Sequence, residues 1–423
     1  MHHIIHRGQH EIGGMCIEVA ADDGTRILLD LGMPLYDETH ADYPRDTPQR
    51  PTAELVASGV LRDIPGLYAR DPTAPGIAAI VLTHSHLDHY GLAHHAHPAI
   101  PVYGSRGTVA ILEVGRVFFP DATLPADLRT LPDGEPLRIG SMSVTAIPVD
   151  HAAPDSRALL VEADGQRLLY SGDLRAHGRT GHRFEAMLED ERLRGVEVLL
   201  LEGTTLGVAA GSHGMQSEQD VEEDLVKLAQ ASRDKLLAVV AAGQNVDRLV
   251  SCYRAAKRTD RLLVIDPYQA FVLSKLAGLS SAIPQFTWEN VRVSFAPHQV
   301  SRLKEAGLMD VVYEMRRHGK ASSDSLKAEP GRHLMCSRGS WGTTKLLDHI
   351  GPDHVELVWS MWGGYWSRPG CAMREWAERE GVSARFIHSG GHAWPADLAR
   401  LVEKLGAKRV VWVHTEAGGS GAV

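Results

Sequence analysis

Six consecutive residues, His84-Ser85-His86-Leu87-Asp88-His89, concentrate the ligand chemistry of this chain. Zinc prefers imidazole nitrogen and carboxylate oxygen, with few ligands per ion. Three imidazoles and one carboxylate fall within this run, directly after the apolar stretch 78–83. His84 and His86 stand two apart, so at an extended strand end they project to one side. Asp88 and His89 open the next predicted helix and can face a second ion. One such run cannot complete two metal shells, so distant ligands are required. His151 follows the strand-like run 144–149, Asp173 follows 167–170, and His414 ends the run RVVWVH. Each is expected at the C-terminal end of an apolar strand, where loops build active sites. A lone histidine or aspartate there is more often a cap or turn residue. Four ligand-type residues in six positions, with three more at strand ends, argue for metal.

These residues need elements to hold them. Residues 15–31 read as a hairpin around Asp22-Asp23-Gly24. A long Pro- and Asp-rich segment follows to about residue 76, of the length that functional loops reach. Runs 137–150, 157–163 and 167–172 read as strands, 104–119 as a helix, and 197–202 as a buried strand. After Gly203 the pattern changes. Ser217-Glu-Gln-Asp220 resembles a capping box, and strands then alternate with helices through residue 360, which implies βαβ units on a parallel sheet. A last strand, helix and strand are expected at 384–388, 394–405 and 409–414. His94, His95 and His97 are predicted to be carried away from the metals, and His2, His3 and His6 to lie in a surface strand or the N-terminus.

Composition bounds the class. The chain has 423 residues, enough for two domains, with 43% hydrophobic and 23% charged residues, which excludes disorder. No apolar run is long enough to span a bilayer. The N-terminus lacks a basic head before an apolar core, so no secretory signal is expected and the cytoplasm is the expected location. The four cysteines, Cys16, Cys252, Cys336 and Cys371, form no CxxC pair, so isolated thiols are expected rather than disulfides or a thiolate zinc site. The formal charge of −9 gives no global attraction for nucleic acid, so a nuclease must concentrate its cations locally. Trp359, Trp362, Tyr365 and Trp366 are read as packing rather than as a platform for stacking bases.

Taken in order, these motifs resemble the metallo-β-lactamase superfamily, and within it the β-CASP nucleases such as ribonuclease J. Asp30 in RILLDLG takes the place of the first motif, HSHLDH the second, His151 the third and Asp173 the fourth. Glu202 in LLLEGTT, His392 in HSGGHAWPADL and His414 in WVHTE match the further motifs of the β-CASP group. The resemblance covers the whole chain. It implies an α/β architecture, a metallo-β-lactamase αββα sandwich with an inserted α/β (β-CASP) domain. The implied domains are 1–205, the insert 206–370, and the return 371–423.

The resemblance also implies roles. His84, His86 and His151 would hold one Zn2+, and Asp88, His89 and His414 the other, with Asp173 bridging. Mn2+ suits the same ligands. Asp30 would orient ligands from behind. A metal-activated water would attack phosphorus, with Asp88, Glu202 and His392 as catalytic residues and His392 as general acid. Ser337, in Cys336-Ser-Arg-Gly-Ser340, and His388 would bind substrate phosphate. The implied activity is RNA processing: cleavage of single-stranded RNA, with single-stranded DNA open. Relatives of the ribonuclease J kind continue into a further domain; nine residues follow His414 here, so a dimer built through one is not expected. Two other readings compete. A metallo-β-lactamase-fold hydrolase of a small phosphodiester, ester or lactone fits the acidic charge, and a non-catalytic scaffold is disfavoured by the intact ligands.

Overall fold

The computed structural model describes residues 1–132, 134–207 and 216–417. They form two units: residues 1–176, 180–207 and 391–417 in the first, and 177–179 and 216–390 in the second.

In the first unit, β1 (His2–Arg7), β2 (Cys16–Ala20), β3 (Arg26–Leu29), β4 (Ala79–Val81), β5 (Val102–Gly104) and β6 (Leu128–Thr130) lie side by side in that order. The first three are antiparallel and the rest add in parallel. A second sheet begins as the antiparallel run β7 (Leu137–Ile139), β8 (Met142–Pro148), β9 (Arg157–Ala163) and β10 (Gln166–Tyr170), and β11 (Val198–Glu202) joins β10 in parallel.

Successive strand residues point to opposite faces, and here both faces are apolar. Ile17, Val19, Ile27, Leu29 and Val81 meet Val144, Leu159, Val161 and Leu200 in the core between the sheets. Their neighbours Leu28 and Ile80 turn outward, into a second core with Leu55 of helix Thr52–Ala57 and Leu112 of helix Arg106–Phe118. Leu169, Leu199 and Leu201 likewise turn outward onto Phe184 and Leu398, from helices His182–Glu189 and Pro395–Leu405. Helix, sheet, sheet, helix is therefore the layering that the strand pattern dictates, and it is the expected αββα sandwich.

The second unit is a sheet of β12 (Leu236–Val240), β13 (Leu262–Ile265), β14 (Val291–Val293), β15 (His333–Ser337), β16 (Val355–Trp359) and β17 (Ala384–Phe386). The spatial order is β14-β13-β15-β12-β16-β17, all parallel. The chain then returns to the first unit with β18 (Val410–Val413), which pairs in parallel with β11.

The expected hairpin gains a third strand, β1, which carries His2, His3 and His6, in one of the two places expected for them. Two expectations need correction. The return to the first unit comes at residue 391 rather than 371. The physical reason is that helix Ala372–Glu380 buries Met373 and Trp376 in the core of the second unit, and β17 extends that unit's sheet beside β16. The aromatic group divides: Trp359 is core, with Trp366 edge-on at 5.0 Å, whereas Trp362 and Tyr365 are exposed. The other domain boundary, at 205/206, borders residues 208–215, which lie outside the described ones. Among the described residues no helix is long and apolar enough to cross a membrane.

Candidate metal centre

The site lies at the C-terminal ends of strands in the first unit. β3 ends before Asp30, β4 before His84, β8 before His151, β10 before Asp173, β11 at Glu202 and β18 before His414. Asp30 and His414 adopt left-handed backbone, with φ of 61° and 53°, unusual for residues with a Cβ. Each turns sharply out of its strand, which aims the side chain across the sheet ends. Gly32 permits the close packing below them: a Cβ there would lie 1.7 Å from the carbonyl oxygen of Asp88.

Two groups of ligand atoms meet at Asp173, each drawn together within 4.8 Å, and a third, Glu202, His392 and His414, adjoins them among the described residues. One comprises His84, His86, His151 and Asp173, the other Asp88, His89, Asp173 and His414. Asp173 belongs to both. His86 Nδ1 faces His151 Nε2 at 3.1 Å, and His414 Nε2 faces Asp88 Oδ2 at 3.1 Å. His89 Nε2 lies 3.3 Å from Asp173 Oδ1, and His84 Nε2 lies 3.7 Å from Asp173 Oδ2.

The donor set can be tested against a cation. Buried polar atoms are normally hydrogen-bonded, since leaving one unpaired costs about 1–3 kcal/mol. His84 Nε2, His89 Nε2 and Asp173 Oδ1 are all buried without a hydrogen-bond partner, and they converge. Meanwhile the opposite nitrogens are engaged. His89 Nδ1 donates to Asp30 Oδ2 at 2.8 Å and His151 Nδ1 to the Gly391 carbonyl at 2.6 Å. His84 Nδ1 is hydrogen-bonded to Thr83 Oγ1 and His414 Nδ1 to Thr204 Oγ1. Orienting each imidazole from behind leaves its Nε2 aimed inward, as metal-ligating histidines require. Burial, reinforced by neighbouring histidines, pushes the pKa of His84 and His151 well below the ordinary range, which keeps them neutral. Burial opposes the charge of Asp173, but His414 and His89 outweigh it and hold the carboxyl well below the usual range. Neutral His84 and His151 beside an ionised Asp173 fit a divalent cation.

Asp30 is fully buried and accepts four hydrogen bonds: Thr83 N at 2.8 Å, Thr83 Oγ1 at 2.8 Å, His89 Nδ1 at 2.8 Å and Tyr170 OH at 2.9 Å. Asp30→Asn would turn a donor amide toward a shell made of donors. The expected result is metal affinity about 10–100-fold weaker, read by competition with a chelator, with little change in the native fold. Unchanged affinity would remove Asp30 from the site.

Beside the clusters, His392 Nδ1 lies 3.2 Å from both carboxylate oxygens of Glu202. Glu202 is itself pinned by the backbone N–H groups of Leu174 and Thr204. Burial disfavours the imidazolium, but Glu202 and Asp173 overcome it and raise the His392 pKa to about 9. The His392 ring stacks on His414, with centroids 5.5 Å apart.

Several participants were not singled out from the sequence: Thr83, Tyr170 and Thr204. Thr83 directly precedes the histidine run, and Thr204 follows Glu202 by two, so position alone could have flagged both. His94 and His95 stay out of the clusters; each donates Nε2 to the Pro48 carbonyl and so ties down the long early loop. Ser337 and His388 are not among the residues brought together. Both belong to the second unit, where Ser337 lines a cleft and His388 Nδ1 sits 3.4 Å from the buried Arg248.

Comparison with known proteins agrees with this fold. Residues 55–237 match the family model described as a beta-lactamase superfamily domain. Ribonuclease J of Sinorhizobium meliloti is 27% identical over 50% of this chain, a match spanning 39% of that relative. A ribonuclease of Thermus thermophilus is 26% identical over 80% of this chain and 81% of its own length. Ribonuclease J of Pyrococcus abyssi is 25% identical over 80% of this chain and 74% of its own. A solved structure of a protein of unknown function from Enterococcus faecalis shares the fold, with TM-score 0.74 and 20% identity over 98% of this chain and 94% of that one.

The sandwich with its strand-end histidines has the metallo-β-lactamase fold, and residues 55–237 match the superfamily's domain. Over about four-fifths of its length the chain is similar to ribonucleases of the J kind.

Proposed function

We propose that the chain is a dinuclear metal-dependent phosphodiester hydrolase that cleaves single-stranded RNA. The observation that carries this is the meeting of two cation-ligand groups with a Glu202–His392 pair at one edge. When bound, a cation pair there would supply a water activated near neutral pH and charge stabilisation at phosphorus. His84, His86, His151 and Asp173 would hold one cation, and Asp88, His89, Asp173 and His414 the other, as Zn2+ or Mn2+. Asp30 fixes His89 from behind. Glu202 holds His392 through Nδ1, so that Nε2 carries a proton toward the leaving oxygen. The relatives above are ribonucleases, and the meeting here of seven ligand-type residues supports carrying that activity over.

The assay is labelled single-stranded RNA, with matched DNA, a cyclic phosphodiester and a lactone alongside. RNA cleavage that vanishes with chelator and returns with Zn2+ or Mn2+ is expected. Turnover of the small substrates alone would favour the small-molecule reading, toward which the formal charge of −9 leans.

A further inference from the structure

The turn that follows Glu202 faces two ways. β11 ends at Glu202, and the chain then doubles back. Gly203 N donates to the Val413 carbonyl at 2.9 Å, and Leu206 N closes the turn on the Gly203 carbonyl at 3.0 Å. Glycine suits this corner, since a Cβ at Gly203 would lie 3.1 Å from Thr415 Cβ. Thr204 and Thr205 therefore occupy the two central positions of a four-residue turn, where neighbouring side chains diverge.

Their hydroxyls go to different partners. Thr204 Oγ1 donates to the His414 carbonyl at 3.2 Å, which leaves it to accept from His414 Nδ1 at 2.8 Å. That hydroxyl serves a candidate cation ligand. Thr205 Oγ1 donates to the Ala393 carbonyl at 2.7 Å. Ala393 is fully buried and directly follows His392. On the other side of His392, the Gly391 carbonyl accepts from His151 Nδ1 at 2.6 Å. His392 is thus gripped through both neighbouring carbonyls, while Glu202 meets its ring at Nδ1, 3.2 Å away. A contact at Nδ1 alone fixes one atom of the ring and lets the rest swing about it. Aiming Nε2 also needs the backbone from which the side chain starts to be fixed, and errors of about 1 Å in such aim cost up to about a hundredfold in rate. The grip at Gly391 comes from a cation ligand. The grip at Ala393 comes from Thr205, which belongs to none of the ligand groups.

We infer that Thr205 is a positioning residue for His392, a role that rests on the general-acid reading of that histidine. One turn then divides its work, with Thr204 serving the cation and Thr205 the proton.

The test compares Thr205→Val, Thr205→Ser and Thr204→Val in the full chain loaded with Zn2+. Valine keeps the branched shape and deletes the hydroxyl; serine keeps the hydroxyl. Thr205→Val should lower turnover of single-stranded RNA at least about tenfold, a part of the roughly 10²–10⁴-fold that a general acid contributes. Its Zn2+ affinity should stay within about twofold of the parent's, which also shows the site folded, whereas Thr204→Val should weaken Zn2+ about 10–100-fold. On RNA carrying a bridging sulfur at the leaving position, which needs no proton, the Thr205→Val loss should shrink to about twofold or less. Thr205→Ser should recover most of the turnover on ordinary RNA. One readout needs no turnover: the downfield imidazole N–H resonance that His392→Ala removes should exchange with water at least about tenfold faster in Thr205→Val. Parental turnover in Thr205→Val, an equal loss with both leaving atoms, Zn2+ lost along with turnover, or an unchanged resonance would each overturn the assignment. If the parent chain cleaves no RNA, the ribonuclease reading falls, and the resonance alone decides for or against Thr205.

Discussion

His86→Ala should leave the protein folded, with about one of its two cations lost and RNA cleavage reduced by more than about a hundredfold. The magnitude follows from a lower bound: deleting only an outer partner of a metal ligand costs about 10–100-fold, so deleting the ligand costs more. His86 sits at the start of the short helix Leu87–Tyr90, and among the described residues its ring is held by neighbours in the cluster, with His151 Nε2 at 3.1 Å. Its removal therefore leaves no strand or core contact broken. Elemental analysis of metal per chain, paired with cleavage of end-labelled RNA, checks both halves. Cleavage at the parental rate in a protein shown to lack metal would refute the hydrolytic scheme.

His392→Ala should separate chemistry from metal binding. General acid catalysis contributes about 10²–10⁴-fold, and a loss of that size in turnover is expected with metal content unchanged. The check is a substrate whose leaving atom is sulfur, which departs without a proton; it should recover most of the lost rate. Metal lost in parallel would instead make His392 a ligand, a role its proximity to His414 and Glu202 allows geometrically. The sign of the pH dependence is fixed by the partner. Glu202 raises the His392 pKa, so the protonated form persists to higher pH and activity falls as pH rises through it. Glu202→Gln removes that support, and the alkaline limb should move to lower pH. A limb that stays in place would mean that another group sets it.

Much of this was legible beforehand because ligand chemistry is local and strand ends are easily read. HSHLDH announces itself by residue type, and the apolar runs before His151, Asp173 and His414 place those side chains at sheet ends. The layering of the sandwich follows from strands apolar on both faces, as in β11, where Leu200 turns inward and Leu199 and Leu201 outward. What escaped the sequence depends on tertiary pairing. β1 reads as HHIIHR, without an alternating apolar face, so the choice between strand and loose terminus stays open until β2 offers it an edge. β17 looks like part of the return to the sandwich until its pairing with β16 is seen. Thr204 and Tyr170 are ordinary residues by type; only the distances to His414 Nδ1 and Asp30 Oδ2 give them a role.

The position of β18 bears on how such an enzyme is made safely. His414 arrives on the last strand to join its sheet, more than 300 positions after the histidine run it completes. Until that strand has left the ribosome and docked beside β11, Asp88, His89 and Asp173 lack the histidine that completes their group. With the proposed ribonuclease activity, a half-made polypeptide would be harmless to the very messenger being translated.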